Sequence, residues 1–255
     1  FRRVLFRSSL KIKSSRTKGE YCWTLTPFAP RFVFEADSKI ERVTYLDADL
    51  WFRKSPEPIF TEFLNSGKQV LITDHAYAPE HDQSQLAGQY CVQFMIFNRD
   101  GELVRKWWEE RCLEWCYARY ENGKFGDQKY LDTWPDLFKE HVHVLKDHSL
   151  LLAPWNATRF PYSSAIAWHF HSARLIIKNE KAMCLWAGNY YLPPNTIAAI
   201  YQPYFSEMTA AVNQLFSCGV QPKTQKAPHR LVRVALIIRE IYRKLTKLQA
   251  GQMIK

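Results

Sequence analysis

The sequence predicts an α/β fold, and three observations predict it. Short apolar runs of β-type residues alternate with segments of helical periodicity, the pattern of strands and helices layered on one sheet. One such run, Arg42-Val43-Thr44-Tyr45-Leu46, leads straight into two carboxylates, Asp47 and Asp49. The chain has 255 residues, 47% apolar and 24% charged, enough for one α/β domain with a full core.

The elements follow in order. Residues 24–36 read as a helix that Thr26 can cap, with Pro27 in its first turn. Residues 42–46 form the strand that ends in the two acids. Residues 56–65 read as a short helix carrying Ile59, Phe60, Phe63 and Leu64. Residues 69–73 are a short buried strand ending at Asp74-His75. Residues 74–90 are polar, carry Gly88, and read as a mobile loop near the site. Residues 90–98 form an apolar strand, and residues 102–120 a long amphipathic helix. A further helix starts within 126–132. Two short strands are expected near 142–145 and 150–153. Residues 165–177 look extended, and 208–216 helical. There is no internal repeat and no low-complexity stretch.

Three further segments stand apart. Residues 1–8 match one reading frame of a widely used sequencing adapter and are read as an artefact of assembling DNA reads. On that reading the native part begins at Ser9, and the domain, residues 9–220, is truncated at its N-terminus. Residues 221–229 read as a linker. In residues 230–248, Leu231, Val234, Ile238, Ile241, Leu245 and Leu248 recur at alternating three and four, with Arg233, Arg239, Arg243, Lys244 and Lys247 largely on the remaining surface. Such a C-terminal amphipathic helix suits an anionic membrane surface. It equally suits docking onto the protein's own body or a second subunit.

Charge excludes one class of partner. The formal net charge is +10, but residues 223–255 hold nine Lys/Arg and one Glu, and residues 1–8 hold three Arg. The remaining body is close to neutral, so the balance does not point to nucleic acid. The six cysteines, at 22, 91, 112, 116, 184 and 218, include no Cys-x-x-Cys and fit no zinc spacing. Cys112 and Cys116 are expected one helical turn apart, as small core residues. The pattern suits a reducing cytoplasm. No apolar run approaches membrane-spanning length.

The candidate chemistry starts with Asp47 and Asp49. Residues i and i+2 on an extended segment point to one side, at the sheet edge where α/β proteins bind ligands. Two hard oxygen donors there suit Mn²⁺ or Mg²⁺ with a diphosphate. Solvated loop carboxylates are the plainer reading, but two charges inside an apolar run cost heavily unless paired or metal-bound. Asp127 and Gln128 stand at a helix start and suit sugar hydroxyls, although Asp127 could be an N-cap alone. In Trp168-His169-Phe170-His171-Ser172, both His would face one side of a strand. A His beside two carboxylates completes a mixed shell suited to Mn²⁺; a surface His pair on an edge strand is the alternative. His141 and His143 read as surface strand residues with no carboxylate partner. Trp155-Asn156 could line a pocket, but reads better as a core Trp followed by a turn Asn.

Taken in order, these segments resemble the GT-A (Rossmann-like) glycosyltransferases that use nucleotide-diphosphate sugars. The resemblance is to bacterial polysaccharide and lipopolysaccharide enzymes related to glycosyltransferase family 8. The carrying residues are Thr44-Tyr45-Leu46-Asp47-Ala48-Asp49, the run 90–98, Gly126-Asp127-Gln128-Lys129-Tyr130-Leu131, Leu152-Ala153-Pro154-Trp155-Asn156 and His169-Phe170-His171-Ser172. The resemblance implies a nucleotide-diphospho-sugar transferase fold. It implies that Asp47 and Asp49 bind Mn²⁺ or Mg²⁺ and the donor diphosphate. His169 is then the third metal ligand, with His171 as second choice, and Asp127 and Gln128 contact the transferred sugar. It also implies a UDP-sugar donor, a saccharide or lipid-linked acceptor, and transfer with retention. The chain departs from the family at Cys91-Val92-Gln93, where Asn-x-Gly is frequent, and at Ser172, where Gly is usual. A metal-dependent phosphoesterase or nucleotidyltransferase, or a basic-tailed binding module, are the rival classes.

Overall fold

The computed structural model describes residues 12–178, 181–186 and 190–222; the adapter-like segment and residues 230–248, for which a helix is expected, lie outside the described residues. The chain divides into two compact units. The first holds residues up to Phe170 together with Tyr190–Pro193, and the second holds His171–Asn189 and the chain from Pro194 onward.

The first unit opens with two helices where the sequence predicts one. α1, Lys18–Leu25, begins with a capping box: Glu20 N–H donates to Thr17 Oγ1 at 3.3 Å, and Thr17 N–H donates to Glu20 Oε2 at 2.7 Å. α2, Phe28–Ala36, follows after Pro27. Thr26 closes α1 rather than capping α2 with its side chain, and Pro27, lacking an N–H, cannot extend the first helix.

A four-stranded sheet comes next. Its strands are β1 (Arg42–Leu46), β3 (Val70–Asp74), β4 (Tyr90–Asn98) and β5 (Val142–Val144), in the order β1-β4-β3-β5. Only β3 and β5 run parallel. A second sheet, in the order β2-β7-β6, is formed by β2 (Leu50–Phe52), β6 (Leu151–Leu152) and β7 (Ala167–His169). β4 is not the plain apolar strand that its sequence suggests. Between the pairs Leu71↔Ile96 and Thr73↔Cys91, two steps along β3 match five along β4, and the extra chain is a bulge around Val92 to Met95. Thr73 Oγ1 spans it, 3.3 Å from Cys91 O and 3.5 Å from Phe94 O.

The strands sort their side chains between two apolar clusters. Val70, Ile72, Val92 and Phe97 join Trp108, Trp134 and Leu131 in one; Leu71, Phe94 and Ile96 join Ile59, Phe63 and Ile166 in the other. Period-2 alternation along β3 accounts for the split. Ile59 and Phe63 come from α3, Glu57–Ser66, which ends on Gly67 at φ 66°, a left-handed position that suits glycine.

α5, Glu102–Glu114, presents Val104, Trp108 and Cys112 to the first cluster. It is shorter than the predicted 102–120, because Trp115 is extended and Arg16 caps the end. Arg16 donates to Cys112 O at 2.8 Å and to Leu113 O at 2.9 Å. Cys116 therefore lies beyond the helix, though both cysteines are buried. The loop 74–90 also contains short helical turns, Pro79–His81 and α4 (Ser84–Ala87).

Beyond Phe170 the predicted extended run is broken. Ser172 takes φ 66°, and the chain restarts as β8 (Ala173–Lys178), paired antiparallel with β9 (Lys181–Trp186). Alternation across 168–172 consequently fails: His169 is buried and His171 is exposed in a turn. After the short α6 (Pro194–Thr196), a π-helical turn, Ile197–Tyr201, runs into α7, Gln202–Ser217, which lies against β9. No helix among the described residues is long and apolar enough to cross a membrane.

One buried ion network ties α5 to the start of α2. Arg105 donates to Glu109 Oε2 at 2.5 Å and to Pro27 O at 2.9 Å, and it also pairs with Glu102. Glu109 is reached as well by Arg31 at 3.2 Å. Arg105→Leu leaves Glu109 buried with a single partner. Urea unfolding should show a loss of about 3 kcal/mol, the lower end for a broken buried pair because Arg31 remains. The double variant Arg105→Leu/Glu109→Leu should recover most of it.

Candidate metal centre

Asp47-Ala48-Asp49 is the hinge where the chain leaves one sheet and enters the other. β1 pairs with β4 down to Leu46↔Phe94, and Asp47 N–H continues that ladder by donating to Gln93 O at 3.0 Å. The chain then turns, Leu50 N–H donates to Asp47 O at 3.3 Å, and β2 begins. The two aspartates thus sit on a turn rather than on an extended strand end. β2 pairs antiparallel with β7 at Leu50↔His169, and Phe170 N–H donates to Asp49 O at 2.9 Å. This pairing brings residue 169 beside residues 47 and 49.

His169 Nε2 lies 3.0 Å from Asp49 Oδ1 and 3.8 Å from Asp47 Oδ2. One ligand atom from each of the three residues falls within 4.8 Å of the others. Exposure is graded across the group: the side chains of His169, Asp47 and Asp49 are 8%, 23% and 45% exposed. The centre is therefore closed on the imidazole side and open to solvent through Asp49. Burial raises the pKa of Asp47, and His169 and the hydroxyl of Tyr45 pull it back down. Tyr45 O–H donates to Asp47 Oδ1 at 3.1 Å. Two hard oxygens and one imidazole nitrogen make a donor set that suits Mn²⁺, and Asp47, Asp49 and His169 could hold a divalent metal ion.

An aromatic wall stands behind His169. Trp155 meets its ring edge-on at 5.3 Å, and His75 stacks on Tyr77 at 4.7 Å. Trp155 Nε1 and Asn156 Nδ2 both donate to His75 O, at 2.9 and 3.0 Å, while Asn156 Oδ1 accepts from Ala153 N–H. Trp155-Asn156 therefore fastens the chain leaving β3 to the wall of the centre. Burial holds the His75 pKa down to about 4, so that ring is neutral at physiological pH.

Asp127 is buried at the head of a 3₁₀ turn, Gln128–Thr133, not of a full α-helix. It makes no side-chain capping bond, and its Oδ2 has no hydrogen-bond partner. Trp108 Nε1 donates to its carbonyl at 2.8 Å. Its carboxyl interacts electrostatically with Asp47 and with Tyr45, and burial pushes its pKa up to about 7. Gln128 Nε2 donates to Ala87 O at 2.9 Å. Gly88, at φ 105°, lies under the same turn: a Cβ there would meet Asp132 Oδ1 at 3.1 Å and Lys129 Cα at 3.3 Å.

His171, offered by sequence as another metal ligand, is exposed and belongs to the second unit. His143 does have a carboxylate partner: its Nε2 is 2.7 Å from Glu62 Oε1, across from α3. Tyr45, Gln93 and His75 also belong to the centre, although none is a candidate site residue in the sequence, where Gln93 stands only as part of the departure at Cys91-Val92-Gln93. Tyr45 lies two residues before Asp47, and Gln93 is an amide inside an apolar run; both signals were present in the chain.

The raised pKa of Asp127 has a definite sign in stability. Folded Asp127 binds its proton up to about 7, whereas the unfolded group releases it near 3.8. Its contribution is fully present below about pH 4 and is lost as pH rises through 7. In metal-free buffer, Asp127→Asn should gain stability relative to wild type between pH 4 and pH 8, by at most about 4 kcal/mol at 1.36 kcal/mol per unit. Urea midpoints of the two proteins at those pH values check it.

No family model matches the chain. It is 33% identical over 190 residues to Uncharacterized protein YfnF of Bacillus subtilis (strain 168), a match covering 67% of this chain and 62% of YfnF. The chain thus spans less than two thirds of that relative. It is 31% identical over 241 residues to Uncharacterized protein YfnD of the same organism, covering 84% of this chain and 74% of YfnD. Among solved structures, a glycosyltransferase involved in glycosylation of the major capsid of PBCV-1 aligns at TM-score 0.45 and 10% identity, over 61% of this chain and 73% of that one. Mouse xyloside xylosyltransferase 1 aligns at TM-score 0.36 and 17% identity, over 60% and 65%. Likenesses this slight do not establish a shared fold or activity. The extended match to YfnD does establish kinship: this chain belongs to the family of Bacillus subtilis YfnD.

Proposed function

We propose that this protein is a metal-dependent glycosyltransferase, moving a sugar from a nucleotide-diphosphate donor, a UDP-sugar, to a saccharide or glycolipid acceptor in cell-surface polysaccharide synthesis. One observation carries the reading: Asp47, Asp49 and His169 converge at the hinge between two sheets, with ligand atoms within 4.8 Å. Three donor atoms fit a single ion. Among the described residues no second such group is found, which favours transfer over a phosphoesterase of the two-metal kind.

A bound Mn²⁺ or Mg²⁺ supplies Lewis-acid stabilisation of the departing diphosphate. The chain's own groups do the rest. Asp47 and Asp49 would hold the cation from the hinge, and His169, rather than His171, would be the third donor. Tyr45 O–H donates to Asp47 Oδ1 and so orients that carboxylate. The aromatic wall of Trp155 keeps water off the imidazole side. Asp127, poised near pKa 7, can hold or release a proton at the sugar, and Gln128 Oε1 would accept from a sugar hydroxyl beside it. Retention, which the resemblance to family 8 enzymes implies, would with no side chain assigned as a nucleophile require the acceptor hydroxyl to attack from the leaving-group side, its proton passing to the departing diphosphate as the glycosidic C–O bond breaks.

Residues 230–248, with their apolar stripe and flanking Arg and Lys, would hold the enzyme on the cytoplasmic face of an anionic membrane, where a lipid-linked acceptor is presented. Flotation with anionic liposomes should carry the protein upward at low salt and release part of it at high salt; failure to float in both removes the attachment.

The central test is Mn²⁺-dependent hydrolysis or transfer from a panel of UDP-sugars. Asp47→Asn should abolish the Mn²⁺-dependent rate and leave the far-UV dichroism unchanged. An Asp47→Asn variant as active as wild type would remove the site assignment.

A further inference from the structure

We propose that Gln93 is the positioning residue of this centre, holding His169 so that its Nε2 faces the cation, and tying that imidazole to Asp47. The proposal rests on the reading of Asp47, Asp49 and His169 as metal-holding. It concerns a residue for which neither the relatives nor the fold supplies a role.

Gln93 is 0% exposed, on β4, with Cys91, Val92, Phe94, Met95, Ile96 and Phe97 all buried around it. An amide buried among apolar groups costs about 1–3 kcal/mol unless it is hydrogen-bonded. Its Oε1 lies 2.9 Å from His169 Nδ1. Its Nε2 is buried and has no hydrogen-bond partner. The contact with His169 is therefore the interaction that compensates for burying this side chain. Through its backbone the same residue accepts Asp47 N–H at 3.0 Å. One residue thus fastens two of the three donors, one from each sheet.

The chemistry of that contact fixes the ring. An amide oxygen only accepts, so the hydrogen of the bond belongs to Nδ1. Nε2 is then the nitrogen with a lone pair to offer, and it is the one that points at Asp49 and Asp47. Metal-binding imidazoles generally have the other ring nitrogen donating to a fixed acceptor, which sets the tautomer and the ring plane. The β-bulge explains how a strand residue reaches this position. Regular pairing of β4 with β3 is interrupted between Cys91 and Ile96, and Gln93 lies inside the interruption. Bulges re-aim side chains in this way beside functional sites.

The experiment measures Mn²⁺ binding to the full chain by electron paramagnetic resonance of the free ion. Wild type is compared with Gln93→Met, Gln93→Asn and Gln93→Glu. Met keeps the length and loses the acceptor. Asn keeps the amide and falls short by one methylene. Glu keeps both acceptor and reach. Gln93→Met and Gln93→Asn should weaken binding about 10- to 100-fold, the usual cost of losing such a partner. Gln93→Glu should bind within a few-fold of wild type. Both Met and Glu replace a buried amide, so a general packing defect would weaken both; thermal unfolding of each variant controls for folding, and Asn against Glu serves if Met does not fold. Wild-type affinity in Gln93→Met or Gln93→Asn overturns the proposal, and so does a loss in Gln93→Glu as large as in Gln93→Met. A wild-type protein that binds no Mn²⁺ overturns instead the metal reading beneath it.

Discussion

Two carboxylates and an imidazole meeting at the hinge between two sheets are the constraint on which the rest of this structure depends. Asp47 and Asp49 are partly withdrawn from water, and burial works against the charge on Asp47. Such a pair is costly unless cationic or hydrogen-bonding groups compensate it. The fold arranges that compensation. β1 ends beside Gln93, β2 begins beside His169, and Tyr45 reaches back along β1 to the first acid. The hinge joins the sheets covalently, and the centre joins them through side chains.

That arrangement depends on features far from any charge. The bulge in β4 is bridged by Thr73, and the wall formed by Trp155 and Asn156 is anchored on the carbonyl of His75. His75, neutral because it is buried, packs against Tyr77 and Trp155 without adding positive charge beside His169. Asp127 sits at the other extreme. It is buried with one unpartnered carboxyl oxygen, and burial raises its pKa to about 7, a state that costs stability at neutral pH.

Much of this was legible in the sequence, for identifiable reasons. The run 42–46 into Asp47-Ala48-Asp49 and the apolar runs at 69–73 and 90–98 appear as strands because their burial leaves a periodic or continuous apolar signature. The structure also brings His169 beside the two acids, across about 120 residues, through the Leu50↔His169 pairing. What sequence did not convey was local geometry. The bulge leaves no compositional trace except one glutamine. The end of α5 at Glu114 is set by Arg16, nearly a hundred residues away in the chain. The turn at Ser172 separates His169 from His171, although nothing in Trp168-His169-Phe170-His171 marks the break. The helix Lys18–Leu25 was a different kind of miss, since its Thr17…Glu20 capping box is readable in the chain.

The most direct test of the account is to locate Mn²⁺ in crystals of the wild-type protein by anomalous scattering at the manganese edge. One strong peak is expected, bonded to a carboxylate oxygen of Asp47, a carboxylate oxygen of Asp49 and Nε2 of His169, with Gln93 Oε1 still on Nδ1. A peak elsewhere with this group bare, or no peak in Mn²⁺-saturated crystals, would contradict it.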